Sequence, residues 1–366
     1  MFKLDRILSQ EGSIHKFIFS KDSDALTIFA NKVNFIHIPD RFGYLNQFSN
    51  WNYIDHSDQL PITNYTGNLS DIVLKRAEEI YSKSIRENKK IYVYWSGGVD
   101  SSAIILALLA VASNRNNITI LYTKSSIEEY PKLYTYLQSF SDLQMILISV
   151  YDIGKYAEQY GKTDIVITGF PADQLFGSII NQRDDIIFGD DWRKFIVKKT
   201  AIEQFEAAFQ HYNLPVTTIE QFTWFMNFAC KWKLVIRAIP MWFGCTDDGV
   251  IPFYDTQDFQ NWSMSNFDKL HIYDQKNPKY YKYELKQFIN SQFPDKEYLE
   301  HKGKLGSIRA GVQSEPLPHL RKPYISFIDG DGILHIEYYH SDIPYDEYQS
   351  VRMNMLNRKL IKYRKK

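Results

Sequence analysis

Ile91-Tyr-Val-Tyr-Trp-Ser-Gly-Gly-Val-Asp-Ser-Ser102, continued by Ala103-Ile-Ile-Leu-Ala-Leu-Leu-Ala110, decides the fold. The first five residues are β-branched or aromatic and read as a strand buried on both faces. The apolar run after Asp100 is too long for a strand and too short to cross a bilayer, so it reads as a buried helix. The Ser-Gly-Gly turn therefore joins a buried strand to a buried helix. Adjacent glycines let the backbone turn tightly and aim its N–H groups at one point, and the helix adds unpaired donors and the positive end of its dipole. The result is an anion cradle. Ser96, Ser101 and Ser102 are candidate hydroxyl donors to it, Gly97 and Gly98 its backbone, and Asp100 a hard oxygen ligand suited to a Mg2+ ion riding on phosphates.

Outward from this unit, Ile118–Tyr122, Met145–Val150 and Asp164–Thr168 are short apolar runs separated by helical intervals. Alternating strands and helices predict an α/β fold with a parallel, doubly wound sheet covered on both faces. Ligands of such sheets bind at the carboxyl ends of the strands, where Tyr122 and Gly169 join the candidate cofactor-binding residues. The strand ending at Thr168 leads into Gly169-Phe-Pro-Ala-Asp-Gln-Leu-Phe-Gly-Ser178. If that strand neighbours the Ile91 strand, Asp173 leaves the sheet at the same edge as Asp100, and two carboxylates facing one triphosphate form a Mg2+ site. A helix with Val73, Ala77, Ile80 and Tyr81 on one face and Ser70 as N-cap precedes the central strand. From Thr218 to Met241 a capping box, Thr218-Ile-Glu-Gln221, opens a long helical pattern carrying Phe222, Phe225 and Phe228, a stripe read as core.

The Walker loop and the dinucleotide fingerprint are both absent from this stretch. It resembles instead the Ser-Gly-Gly-x-Asp-Ser loop of the PP-loop ATP pyrophosphatases, which cleave ATP between the α and β phosphates. The 169–178 segment resembles the Gly-x-Gly-Ala-Asp-Glu-Leu-Phe-Gly-Gly segment of the asparagine synthetase and β-lactam synthetase branch. There the resemblance implies ATP and Mg2+ as cofactors, with Asp100 and Asp173 as metal ligands. Cys245-Thr-Asp-Asp-Gly-Val-Ile-Pro-Phe-Tyr-Asp255 is similar to the branch's Val-Glu-Ala-Arg-Val-Pro-Phe-Leu-Asp, which puts Asp248 where the family carries an active-site Glu, with Asp247 as the alternative. Lys302-Gly-Lys-Leu-Gly-Ser-Ile-Arg309 resembles the late loop whose lysine stabilises charge at phosphorus; the spacing favours Lys304, with Lys302 second.

The resemblance covers roughly residues 70 to 310 and implies an AMP-forming carbon–nitrogen ligase that adenylates a small-molecule carboxylate and passes it to ammonia or an amine. It departs from the family in two places. Phe2 stands where glutamine-hydrolysing relatives have their nucleophilic Cys, so nitrogen is expected as ammonia, as an amine, or from a separate donor protein. Phe170 and Gln174 replace family glutamates, which brings position 170 nearer the β-lactam synthetase type and argues against free aspartate.

The rest of the chain is appendage. Strand-like runs at Phe17–Phe19, Leu26–Phe29 and Val33–Ile38 predict a small β-rich module over residues 1–69, before the main domain at 70–320. Residues 321–366 hold a hairpin, Tyr324–Ile328 with Ile333–Tyr338 around Asp-Gly-Asp-Gly, and a basic tail after Arg352. His37 reads as structural. Lys plus Arg and Asp plus Glu are both 43, so no global basic field points to nucleic acid. Two cysteines, Cys230 and Cys245, are too few for a disulfide framework or a four-cysteine zinc site. With no signal-peptide core and no run of about 18 apolar residues, the expectation is a cytoplasmic protein without membrane contact. Two other readings remain: an enzyme adenylating tRNA or DNA bases, served by the basic tail, and an inactive nucleotide-binding protein.

Overall fold

A computed structural model of the chain describes residues 40–45, 64–149, 153–177, 189–195, 199–232, 250–268, 278–303, 324–328 and 334–338. Two units are distinguished. Ser13–Gly311 holds the sheet, and Met1–Gly12 with Val312–Lys366 holds the hairpin. The predicted strands at 17–38, His37, the 46–63 segment and the tail after Arg352 lie outside the described residues.

Helix α1 (Leu69–Glu87) precedes the central strand β1 (Ile91–Trp95), which enters α2 (Val99–Val111). The cap of α1 is Asn68 rather than the expected Ser70: the Asn68 side chain accepts from the Ser70 N–H, because the buried face begins one residue earlier, at Leu69. Val73, Ala77, Ile80 and Tyr81 are buried as predicted. Strand β2 (Ile118–Tyr122) follows, then short helices α3 (Lys124–Glu129) and α4 (Pro131–Gln138), strand β3 (Gln144–Leu147), α5 (Ile153–Gly161), strand β4 (Ile165–Thr168) and α6 (Ala172–Phe176). Beyond these come α7 (Lys199–His211), α8 (Ile219–Phe225), strand β5 (Ile251–Pro252), α9 (Gln257–Asn266), α10 (Tyr283–Gln292) and α11 (Lys296–His301). The capping box at Thr218 is formed, and after Phe225 the helix continues as a π-helical stretch, Met226–Lys231. In the other unit β6 (Tyr324–Ile328) pairs antiparallel with β7 (Leu334–Tyr338).

The five strands of the sheet are parallel, in the order β3-β2-β1-β4-β5. All five β1 residues are buried, as expected of a strand covered on both faces. Its side chains alternate between two cores. Ile91, Val93 and Trp95 join the large cluster with Ala103, Ile104 and Ala107 of α2 and Leu285 and Phe288 of α10. Tyr92 and Tyr94 join Ala157 and Val166 in the smaller one, where the Tyr92 and Tyr160 rings stack at 3.8 Å. Helices thus cover both faces. Each fully buried branched side chain of α2, such as Ile104 or Leu108, contributes about 1.5–3 kcal/mol through burial. Strand β3 departs from expectation: it begins at Gln144 and ends at Leu147, because an edge strand is only partly covered and Leu147 is 51% exposed.

From β1 the chain steps outward to β2 and β3, then returns to the other side of β1 as β4. The carboxyl ends of β1 and β4 therefore flank the point where strand order reverses, the place where open α/β sheets leave a crevice for a ligand. Among the described residues no helix is long and apolar enough to cross a membrane.

Candidate functional site

The loop after β1 requires its first glycine. Gly97 has φ +79°, and a Cβ there would lie 2.5 Å from the Ser126 carbonyl oxygen and 2.7 Å from Glu129 Cβ. Gly98 ends the loop as the N-cap of α2, and no described side chain caps that helix. The first-turn amides of α2 are therefore left to water or a ligand.

The serines divide differently from the sequence expectation. Ser101 Oγ accepts the Ser96 N–H at 3.1 Å, lies 3.1 Å from Ser96 Oγ and donates to the Gly98 carbonyl at 3.3 Å, while Ser96 Oγ accepts the Gly98 N–H at 3.3 Å. These hydroxyls shape the loop from within. Ser102, expected at the cradle, is instead fully buried and accepts the Trp95 indole N–H at 3.1 Å; one residue further along the helix, it has rotated into the core. Tyr122 is 9% exposed, and its hydroxyl lies 3.4 Å from that of Tyr134. Burial first, and the Tyr134 contact second, push its pKa up to about 12. Gly169, after β4, comes close enough to Asp100 that a Cβ on it would sit 3.2 Å from Asp100 Cβ.

Asp100 and Asp173 do meet. They do so on Lys282, a residue the sequence reading left out: Lys282 Nζ is 2.6 Å from each Asp100 oxygen and 2.6 Å from Asp173 Oδ1. The Lys282 side chain is 1% exposed, against 26% for Asp100 and 34% for Asp173. Burial alone would lower the lysine pKa, but the Asp100 and Asp173 charges outweigh it and hold the ammonium well above its ordinary value. The residue also sits in left-handed backbone, φ 47° and ψ 46°, just ahead of α10, a strained conformation costing about 1 kcal/mol or more. Tyr254, fully buried, closes the arrangement. Its hydroxyl donates to the Asp100 carbonyl at 2.9 Å, and its N–H donates to the Phe170 carbonyl at 3.2 Å, so the segment after β5 ties the two loops together.

Beside the glycine loop stands a second ion pair. Lys302 Nζ is 2.8 Å from Glu129 Oε1, with side chains 7% and 16% exposed. A Cβ on Gly98 would lie 3.6 Å from that same Glu129 oxygen. Lys302, the second choice for the charge-stabilising lysine of the late loop, is therefore buried beside the glycine loop. Lys304, Asp248, Asp247 and Cys245 lie outside the described residues. Gln174, in the place of a family Glu, is 2% exposed.

Among the described residues no three His, Cys, Asp or Glu side chains gather as a ready-made metal cluster. Two carboxylates converging on one cation nevertheless fit Mg2+. It is commonly held by one or two carboxylates and completed by substrate phosphates and water. Asp100 and Asp173 would be its protein ligands, and the Lys282 ammonium now stands between them. The sequence matches no protein-family model and no curated protein.

Proposed function

We propose that the chain is an ATP-dependent, AMP-forming carbon–nitrogen ligase of the PP-loop type, similar to the asparagine synthetase and β-lactam synthetase branch. It would adenylate a carboxylate, release pyrophosphate, and transfer the acyl group to ammonia or an amine. The observation that carries this reading is the convergence of Asp100 and Asp173 on one cation at the carboxyl ends of β1 and β4, beside an uncapped helix N-terminus and a glycine-forced loop.

The residues divide the work as follows. The Gly97–Gly98 backbone and the first-turn amides of α2 hold the β and γ phosphates, the part that departs. Asp100 and Asp173 would hold Mg2+, which when bound neutralises charge on the leaving pyrophosphate. Without the metal, Lys282 holds the two carboxylates together and competes for the position the metal would take. Carboxylate oxygen attacks the α phosphorus and the bond from it to the αβ-bridging oxygen breaks, releasing pyrophosphate; the amine nitrogen then attacks the acyl carbon, the bond from that carbon to the AMP oxygen breaks, and AMP leaves as the amide forms. Lys304 is the cation assigned to the charge at phosphorus, and Asp248 the base that takes the amine's proton. Pyrophosphate release, measured across carboxylic acids with ammonia or amines, tests the reading. Orthophosphate in place of pyrophosphate would reject it.

A further inference from the structure

The Glu129–Lys302 pair has a position that simple stabilisation does not require. Glu129 is the last residue of α3, and its Cβ side presses on Gly97, the residue whose geometry sets the cradle. Its carboxylate thus faces a loop built to attract anions. A carboxylate there opposes a phosphate unless something neutralises it, and Lys302 does so at 2.8 Å. Lys302 is itself fixed by its main chain. Its N–H donates to the Tyr298 carbonyl at 3.1 Å, and its carbonyl accepts from the buried Lys286 Nζ at 3.1 Å. Three more contacts hold α11 to the start of α4: Tyr130 stacks on Tyr298 at 3.9 Å, and Lys132 pairs with Asp295 at 3.2 Å and Glu297 at 2.7 Å. The backbone around this lysine is pinned, whereas its Nζ, 5.9 Å from the Tyr298 ring, is ion-paired among the described residues with the Glu129 carboxylate, which a stronger anion can displace.

We propose that Glu129 is a placeholder for the pyrophosphate group: it holds the Lys302 ammonium beside the Gly97–Gly98 loop and gives it up when a polyphosphate enters. This deepens the ligase reading and rests on it. Glu129 is then a positioning residue that weakens pyrophosphate binding, because the ligand must displace a charge-assisted hydrogen bond and tolerate a nearby negative charge.

The test is calorimetric titration of inorganic pyrophosphate, with Mg2+ present, into the full chain, its Glu129→Gln variant, its Lys302→Gln variant and the double variant. Glu129→Gln is expected to bind roughly tenfold more tightly than wild type, since the competing carboxylate is gone while Lys302 remains. Lys302→Gln is expected to bind about tenfold more weakly, and in the double variant the gain from Glu129→Gln is expected to shrink. Thermal melts of each variant show whether it is folded, and a loss of folding does not produce tighter binding. If wild type binds and Glu129→Gln binds equally or more weakly, the placeholder role is wrong and the ligase reading survives. If neither wild type nor Glu129→Gln binds pyrophosphate, both fall.

Discussion

Replacing Lys282 by Met keeps the length of the side chain and removes the charge that Asp100 and Asp173 share. Taking one partner from a buried ion pair costs about 3–5 kcal/mol, because the remaining charge is left unpaired in a poorly solvated place. Here the stranded groups retain 26% and 34% exposure, so water recovers part of the loss and the cost falls below that range, to about 2–3 kcal/mol. For a unit of this size that corresponds to a fall in melting temperature of roughly 4–8 °C. The variant also leaves two carboxylates converging on a vacated cation position. Millimolar Mg2+ is therefore expected to raise the melting temperature of Lys282→Met, by the equivalent of ~1–3 kcal/mol if its concentration exceeds Kd by about ten- to a hundredfold. The rise should be much smaller in wild type, where the ammonium competes, and should disappear when Asp173→Asn is added. Scanning calorimetry with and without Mg2+ measures all three. A Lys282→Met protein as stable as wild type, or one indifferent to Mg2+, would refute the account of how the two carboxylates are held.

Gly97→Ala is expected to lose polyphosphate binding and about 1–3 kcal/mol of stability, since the new Cβ meets the Ser126 carbonyl at 2.5 Å in backbone of φ +79°; urea unfolding together with titration of ATP and Mg2+ checks both. Lys286 supplies a pH signature. Burial first, and the Lys302 charge second, depress it from 10.5 to about 8. Between those values the unfolded chain holds the proton that the folded chain has released. Stability therefore rises with pH across that window, by up to a few kcal/mol, and Lys286→Met should lack the rise. Denaturant melts of both proteins from about pH 7 to about pH 10 read the difference, and parallel curves would contradict it.

The central unit was legible because its signals are local. A five-residue strand with no polar position, two glycines and a helix without a polar face leave little choice of arrangement for Ile91 to Val111, and the apolar runs ending at Tyr122 and Thr168 add the parallel neighbours. Lys282, Lys286 and Glu129 were not read because their importance comes from tertiary contact. Lys282 stands within Lys279-Tyr-Tyr-Lys-Tyr283, which looks like a solvated basic turn. A signal was nevertheless present. Lys282, Leu285, Lys286 and Ile289 follow a three-four-seven spacing, which places two lysines on the apolar face of a helix, and a lysine there needs a buried partner. The position of Ser102 was not legible for a related reason: a hydroxyl one position past Ser101 lies about 100° further around the helix, and it meets the Trp95 indole N–H.

The most direct test of the ligase reading is the identity of the products of ATP turnover. The chain, with Mg2+ and ATP, should be incubated with pools of carboxylic acids and with ammonia or primary amines, and its phosphorus products separated. The account predicts AMP and pyrophosphate in equal amounts, dependent on an added acid and abolished by Asp100→Asn and by Asp173→Asn. ADP with orthophosphate, or turnover undiminished in both variants, would contradict it.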